Sequence, residues 1–219
     1  MKQMMERAFS LDSDQLAFLL AQGGATALYG PEKLGAEMDR AQSVYAFYQL
    51  FQRGLIDIKE SNLSLDQDLR SCLKTMSEAV CVIETRSFSD DMPAVFGYFD
   101  GERVVAVEPF AYDDNNFRLS QSSIAGFVDK LYAAGMLPQE ETEKQLAVET
   151  LEVARHLARL QIINPCDASV YAAIEIDDLL AAYCMNISAA EVVERKHYAV
   201  IELAIELENI LRRVSHGHS

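Results

Sequence analysis

Basic residues are scarce in this chain of 219 residues: 19 Lys and Arg stand against 34 Asp and Glu, which gives a formal net charge of −15. The acidic residues are spread over the whole chain, and no basic cluster interrupts them. Nucleic-acid affinity depends on Lys and Arg that neutralise phosphates, and anionic membranes attract polybasic segments. The composition therefore argues against nucleic acid and membrane surfaces as partners.

Long apolar runs are also missing. No stretch approaches the roughly 18 apolar residues that a transmembrane helix needs. The opening residues, Met1–Glu6, lack the apolar region of a secretory signal peptide. The four cysteines form no C-x-x-C pair and lie in apolar contexts, which favours buried thiols over disulfides. We therefore expect a cytoplasmic protein in a reducing compartment.

Sequence motifs of catalysis and cofactor binding are absent too. The chain contains no H-E-x-x-H, no G-x-x-x-x-G-K-[ST] and no G-x-S-x-G. The acidic pairs Asp90-Asp91, Asp113-Asp114 and Asp177-Asp178 are interpreted as turn or surface residues rather than metal ligands. We therefore expect no cofactor, no metal and no enzymatic activity. An enzyme with an unrecognised site is the third alternative among the function classes.

The first third of the chain predicts three helices. Residues 13–22 follow a capping Asp12 or Ser13 and end at Gly23-Gly24. A second helix is predicted from Pro31 to the glycine at position 54. Its apolar face comprises Leu34, Met38, Ala41, Val44, Tyr45, Tyr48 and Phe51. The capping-box pattern of residues 64–67 opens a third helix.

The middle of the chain predicts an antiparallel sheet. Residues 79–86, 94–99 and 104–110 are short runs rich in β-formers, and Asp100-Gly101 is a tight-turn signal. We expect the last two runs to form a hairpin. A helix at about 121–134 and the helix around 34–53 would cover the apolar face of this sheet.

The last third is predicted to be helical. One long helix spans 139–161, residues 168–185 favour helix with strand as the alternative, and residues 188–214 form the last helix. Valine and leucine repeat every seven residues along it. This seam is expected to pack on the helix at 139–161, although a partner or a second copy of the chain would also fit. No internal repeat of fixed period is found.

The sequence therefore predicts an α+β protein with a mostly antiparallel sheet, packed by helices and followed by a helical C-terminal part. Residues 1–138 and 139–219 would form two parts that pack together, or one continuous domain. The best candidate for partner binding is the loop at 87–93 between two strands. It carries Phe88, Asp90, Asp91 and Met92. Its apolar side chains form either a recognition edge or a lid that folds back onto the core.

The order of elements resembles the EspG-type chaperones of type VII (ESX) secretion. The likeness runs over about residues 10–135, through the segments LDSDQLAFLLAQ, FQRGLI, LSLDQDLRSCLKTMSEA, AVCVIETR, AVFGYFDGERVVAVEP and SSIAGFVDKLYAAG. The family is quasi-two-fold and has further strands in its C-terminal part, from which the predicted helices depart. The resemblance implies a cytosolic chaperone for a helical secretion substrate of the WXG100 or LXG type, or a PE/PPE-like pair. Residues 87–93 and 188–214 correspond to the family's binding surface.

A second function class fits the same order of elements. Three helices followed by a hairpin also describe a winged-helix domain, which would make the chain a dimeric transcriptional regulator. Its recognition helix would be 64–78, which carries Arg70 and Lys74 against three acidic residues. A helix that faces phosphates should not have that balance of charge.

The charge distribution predicts that this protein does not bind DNA specifically at physiological salt, because phosphate contacts would meet a predominantly acidic surface. Electrophoretic shift assays with genomic fragments should show no complex at sub-micromolar protein. A defined footprint on any fragment would contradict this expectation and favour the winged-helix alternative.

Overall fold

The computed structural model describes residues 7–23, 28–31, 38–60, 62–87, 92–110, 113–139, 156–177, 180–186 and 191–216. Within these ranges the chain forms five helices, a nine-stranded antiparallel sheet and a two-stranded sheet. The predicted α+β class is confirmed. No helix among the described residues is long and apolar enough to cross a membrane.

The elements follow one another in three groups. The first group is β1 (Ala8–Asp12), α1 (Ser13–Gln22), α2 (Arg40–Gln52), β2 (Ile56–Lys59), β3 (Asn62–Leu65) and α3 (Gln67–Ser77). The second is β4 (Cys81–Ser87), β5 (Val95–Phe99), β6 (Val104–Phe110), β7 (Asp113–Ser122) and α4 (Ile124–Ala133). The third is β8 (His156–Ile163), β9 (Val170–Asp177), β10 (Ala181–Asn186), β11 (Glu191–His197) and α5 (Val200–His216).

The large sheet contains two consecutive meanders of the same design. Its strand order is β1-β7-β6-β5-β4-β8-β9-β10-β11. Strands β4–β7 lead into α4, and strands β8–β11 lead into α5. The two meanders meet at the antiparallel pair β4–β8, where Val82 lies opposite Ile163 and Ser87 opposite Ala158. The order of elements therefore repeats about this pair, a duplication that the sequence pattern did not reveal.

Both faces of the first meander are buried. Because side chains alternate along a strand, β4 contributes to two separate cores. Cys81 and Ile83 face α4 and α5, whereas Val82 joins the core packed by α1 and α3. The strands of the second meander add Ala158, Leu160, Ile162, Ile174 and Ile176 to the core on the α4–α5 side. The sheet is thus the middle layer of a three-layer arrangement.

The helices of the first third begin at capping residues. The helix at 13–22 is confirmed, with Asp12 and Gln15 forming a capping box. The start predicted at Pro31 is wrong, because α2 begins after Asp39, whose carboxylate accepts from the Gln42 backbone N–H at 2.8 Å. The third helix likewise begins at Gln67 and is capped by Asp66, while residues 62–65 pair with β2 as a strand.

The predictions for the last third are mostly wrong. Residues 156–161 belong to β8, residues 168–185 contribute strands β9 and β10, and residues 191–197 form β11. Residues 140–155 lie outside the described residues. The C-terminal helix is present but begins at Val200. Alternation explains the difference in β8, where Ala158, Leu160 and Ile162 are buried and the residues between them are partly exposed, as a half-buried strand requires. In β9, residues 172–174 are all buried, which a strand covered on both faces allows.

The apolar seam of α5 is internal, as the sequence favoured, but its neighbours differ from those expected. Leu203, Leu207 and Ile210 are buried against the sheet and α4. Lys196 of β11 contacts Glu206 of α5 at 2.7 Å. The apolar seam of α5 therefore covers the hydrophobic core on the α4–α5 side of the sheet.

The predicted hairpin is confirmed. Asp100 and Gly101 connect β5 to β6, and Gly101 has a φ of +107°, where a residue with a Cβ would be strained. The Asp100 carboxylate accepts hydrogen bonds from the backbone N–H of Arg103 at 2.8 Å and from the Thr75 hydroxyl of α3 at 2.7 Å. Burial acts to raise the pKa of Asp100, but these hydrogen bonds outweigh it and hold the pKa below its usual value. The turn is thereby tied to α3.

Gly97 lets α4 approach β5, and its replacement tests this packing. A Cβ at position 97 would lie 2.8 Å from the ring of Phe127 and 3.0 Å from Val104. We expect Gly97→Ala to lower the free energy of unfolding by about 1–3 kcal/mol, as overpacking does. Urea denaturation measures the change.

Gly23→Ala is the matched control. Gly23 has a φ of −80°, and its added Cβ would come no closer than 3.4 Å to another atom. This variant should keep or slightly raise the stability, since alanine restricts the unfolded chain. Equal effects of the two substitutions would contradict the packing argument.

Candidate functional site

The predicted binding loop leaves β4 at Ser87 and enters β5 at Val95. Phe88, Asp90 and Asp91 lie outside the described residues. Met92 is half-buried and packs against the core on the α4–α5 side. Met92 therefore lies where it would if its side chain folded back onto the core as part of a lid.

A groove opens beside this loop on the opposite face of the sheet, the face that α1 and α3 cover elsewhere. It has a volume of about 500 Å³. Its walls come from the ends of β4–β7 and from the segment that follows α1. The lining residues are Tyr29, Gly30, Pro31, Glu84, Arg86, Pro93, Ala94, Phe96, Pro109 and Phe117. The groove is therefore mostly apolar, with one carboxylate and one guanidinium among its polar groups.

Glu84 is the centre of the polar part. Its side chain is 3% exposed, although it lies on a strand whose neighbouring residues are apolar or uncharged. One carboxylate oxygen accepts from the Tyr29 hydroxyl at 2.6 Å, and the other accepts from Arg86 Nε at 2.6 Å. Arg86 Nη2 also contacts that second oxygen. The buried charge is thus paired and hydrogen-bonded on both oxygens, as a carboxylate out of water must be.

Tyr29 is held in place from two sides. Its hydroxyl donates to Glu84, and its backbone carbonyl accepts from the Tyr98 hydroxyl at 2.8 Å. Burial and the hydrogen bond to Glu84 raise the pKa of Tyr29 to about 12. Burial also raises the pKa of Tyr98. Both phenols therefore remain protonated at neutral pH and serve as hydrogen-bond donors.

This chemistry suits binding better than reaction. Glu84 has no free oxygen with which to take a proton from a ligand, and the tyrosines hold theirs tightly. Over the part of the chain that the structure describes, no three His, Cys, Asp or Glu side chains lie close enough together to hold a metal ion. Arg86 is the polar group that reaches outward, with its side chain 65% exposed.

The sequence predictions did not include this site, although the sequence contains one signal for it. Glu84 is the one charged residue in the buried stretch 81–85, where a half-exposed strand would show alternation instead. A carboxylate at such a position needs a partner, and Arg86 is the next residue on the same face. Tyr29 could not be found this way, because it is 55 residues away in the chain.

A second surface feature lies on α2. The face named here the α2 face consists of Val44, Tyr45, Tyr48 and Phe51, which are 49%, 63%, 59% and 45% exposed. The sequence pattern placed these side chains against the sheet, and that expectation is wrong. Instead Ala46 and Leu50 are buried. The helix carries apolar residues on two sides, and the side with Ala46, Phe47 and Leu50 packs inward.

Comparison with known proteins adds no relative. The chain matches no protein-family model, and no curated protein sequence matches it.

Replacing Tyr29 with phenylalanine tests the role of the hydroxyl. The buried Glu84 would lose a partner, so we expect the free energy of unfolding to fall by about 1–3 kcal/mol at neutral pH. Tyr132→Phe removes a hydroxyl that donates to exposed Gln139 at 2.7 Å, and it should change stability little.

The same variant predicts a pH dependence. The pKa of Tyr29 is raised from 10.0 to about 12 on folding, so its contribution is complete below pH 10 and is lost as pH rises through 12. Wild type and Tyr29→Phe should therefore converge in stability over this alkaline range. A constant difference from neutral pH to pH 12 would contradict the assignment.

Proposed function

We propose that this protein binds another polypeptide without chemistry, as a chaperone or adaptor for a helical partner. The type VII secretion substrates named above, of the WXG100 or LXG type or PE/PPE-like, are the partner class that the family resemblance implies. The observation that carries the proposal is the α2 face. We have found no feature of the described residues that favours a transcriptional regulator.

The α2 face has the composition of a contact surface. Four large side chains lie on one side of a helix, and three of them are aromatic. Tyr and Phe contribute much of the contact area in protein interfaces at little cost in conformational entropy. Between Arg40 and Arg53 the helix has no charged residue, although the chain as a whole has a net charge of −15. An apolar area on an acidic body allows contact with a partner while the free protein resists association with itself.

The strand order is a second support. The EspG-type family is quasi-two-fold and has strands in its C-terminal part, where the sequence predicts helices for this chain. Strands β8–β11 and α5 repeat the order of β4–β7 and α4. The departure inferred from the sequence therefore no longer counts against the resemblance. The loop at 87–93, next to the groove, stays a candidate for part of the contact.

The test begins with the tagged protein, isolated from its native cell together with what co-purifies. The purified partner is then titrated against Tyr45→Asp/Tyr48→Asp. Truncating or charging interface anchors costs about 2 kcal/mol or more, so we expect Kd to rise at least about 30-fold. Calorimetry measures the affinity, and circular dichroism checks the fold.

Ala125→Asp/Ala133→Asp is the matched control, because it adds the same charge at exposed positions of α4, on the opposite face of the sheet. It should leave Kd within a few-fold of wild type. Phe88→Asp, with Ser89→Asp as its control, tests the loop in the same assay. The proposal fails if a folded Tyr45→Asp/Tyr48→Asp variant keeps the wild-type Kd, or if the only co-purified molecule is a small metabolite.

A further inference from the structure

The groove at Glu84 and Arg86 has the size and lining of a small-molecule site. Pockets of roughly 300–1,000 Å³ that are mostly apolar and contain a few fixed polar groups are typical of such sites. This groove, at about 500 Å³, combines the rings of Phe96 and Phe117 and three prolines with one fixed ion pair. The polypeptide binding proposed for the α2 face does not involve the residues of the groove. The groove therefore needs a separate functional explanation.

The hydrogen bonds around Arg86 leave half of its guanidinium available. Arginine offers two pairs of parallel donors: one formed by Nε with a terminal nitrogen, the other formed by the two terminal nitrogens. Nε and Nη2 are directed to Glu84. Among the described residues Glu84 is the one acid that Arg86 contacts. With respect to the described residues, the fork formed by the two terminal nitrogens therefore remains free to bind a ligand.

The two partners of the ion pair differ in exposure, so the pair presents a guanidinium to the solvent while the carboxylate stays buried. A purely internal pair would bury both side chains, but Glu84 is 3% exposed and Arg86 is 65% exposed. Glu84 is itself oriented by Tyr29, which Tyr98 holds by its carbonyl. This chain of contacts fixes the direction of the guanidinium before any ligand arrives, and preorganisation of this kind favours binding.

The same geometry selects the charge of the ligand. A cation would be repelled by the exposed guanidinium of Arg86, and both oxygens of Glu84 already accept hydrogen bonds and are buried. A neutral apolar molecule would leave the free fork of Arg86 facing water. A carboxylate matches the fork with two parallel hydrogen bonds, and its apolar body would lie against the partly exposed Pro31, Pro93 and Pro109 of the lining.

We propose that this groove binds a free organic acid with an apolar body, whose carboxylate is held by the free fork of Arg86. Glu84 and Tyr29 are positioning residues in this site. The proposal is independent of polypeptide binding by the α2 face, and either can fail without the other.

The test compares 3-phenylpropionate and octanoate with the corresponding amides, by titration of the full-length protein under NMR observation. Each acid should bind at least about tenfold more tightly than its amide, because charge-assisted bidentate contacts are the strong ones. The Nε–H signal of Arg86 and the amide signals of Phe96 and Phe117 should shift during the titration. Equal affinity of acid and amide, or no binding by either acid, would overturn the proposal.

Arg86→Gln should abolish the preference for the acid. Arg86→Lys keeps a positive charge beside Glu84 and so guards against loss of the fold. Lysine lacks the paired donors of arginine, so the ratio of acid affinity to amide affinity should fall several-fold. Arg118→Gln removes an exposed arginine of the nearby strand β7 that does not line the groove, and it should keep the wild-type ratio. If folded Arg86 variants retain that ratio, the assignment of Arg86 is wrong.

The carboxylate could come from a free organic acid or from the C-terminus of a polypeptide. Titration with a peptide that ends in phenylalanine, as the free carboxylate and as the amide, distinguishes these two sources. We expect the free acids to bind more tightly than the peptide carboxylate for a given apolar group, since the volume of the groove matches a small ligand. Binding of the peptide carboxylate without binding of the free acids would overturn the proposal in favour of recognition of a chain terminus.

Discussion

Strand β4 carries the constraint on which the rest of the molecule depends. It pairs with β5 on one side and β8 on the other, and residues 81–85 are buried on both faces. A strand in this position must supply apolar side chains to two cores at once, which Cys81, Val82 and Ile83 do. Because the two meanders are joined through β4, its pairing with β8 connects the N-terminal and C-terminal halves into one sheet.

Glu84 is the exception on that strand, and its presence determines the groove. A carboxylate in the interior is tolerated only with partners, and removing one partner of such a pair is usually costly. Here the partners come from Arg86 on the same strand and from Tyr29 in the segment after α1. The pair holds that segment on the sheet, with the Tyr29 ring packed edge-to-face on Phe96, and the groove lies beside it.

The two proposed binding surfaces differ in physical character. The α2 face is a convex apolar area that gains from the burial of aromatic side chains, whereas the groove is concave and directs one oriented charge outward. The first surface suits a large partner, since a convex helix face alone offers no enclosure. The second suits a ligand small enough to be surrounded. The net charge of −15 adds long-range repulsion against further copies of the chain.

Local signals of the chain determined several parts of this structure. The cap at Asp12, the turn at Asp100-Gly101 and the amphipathic helix near Phe127 depend on neighbours within a few residues, so the sequence predicted them correctly. The absence of basic clusters and of known catalytic motifs is equally a property of the sequence alone.

Tertiary contacts decided the remainder. Residues 156–163 lie in a stretch with helical spacing but pair with β4, because alternation then buries Leu160 and Ile162 in a core that the helix could not fill. Likewise, which apolar side of α2 faces inward depends on the space left by α1, a quantity that residue spacing does not contain. The site around Glu84 needs Tyr29 from another part of the chain. The periodicity of a segment indicates which of its residues can be buried together. The tertiary fold determines which other element covers them.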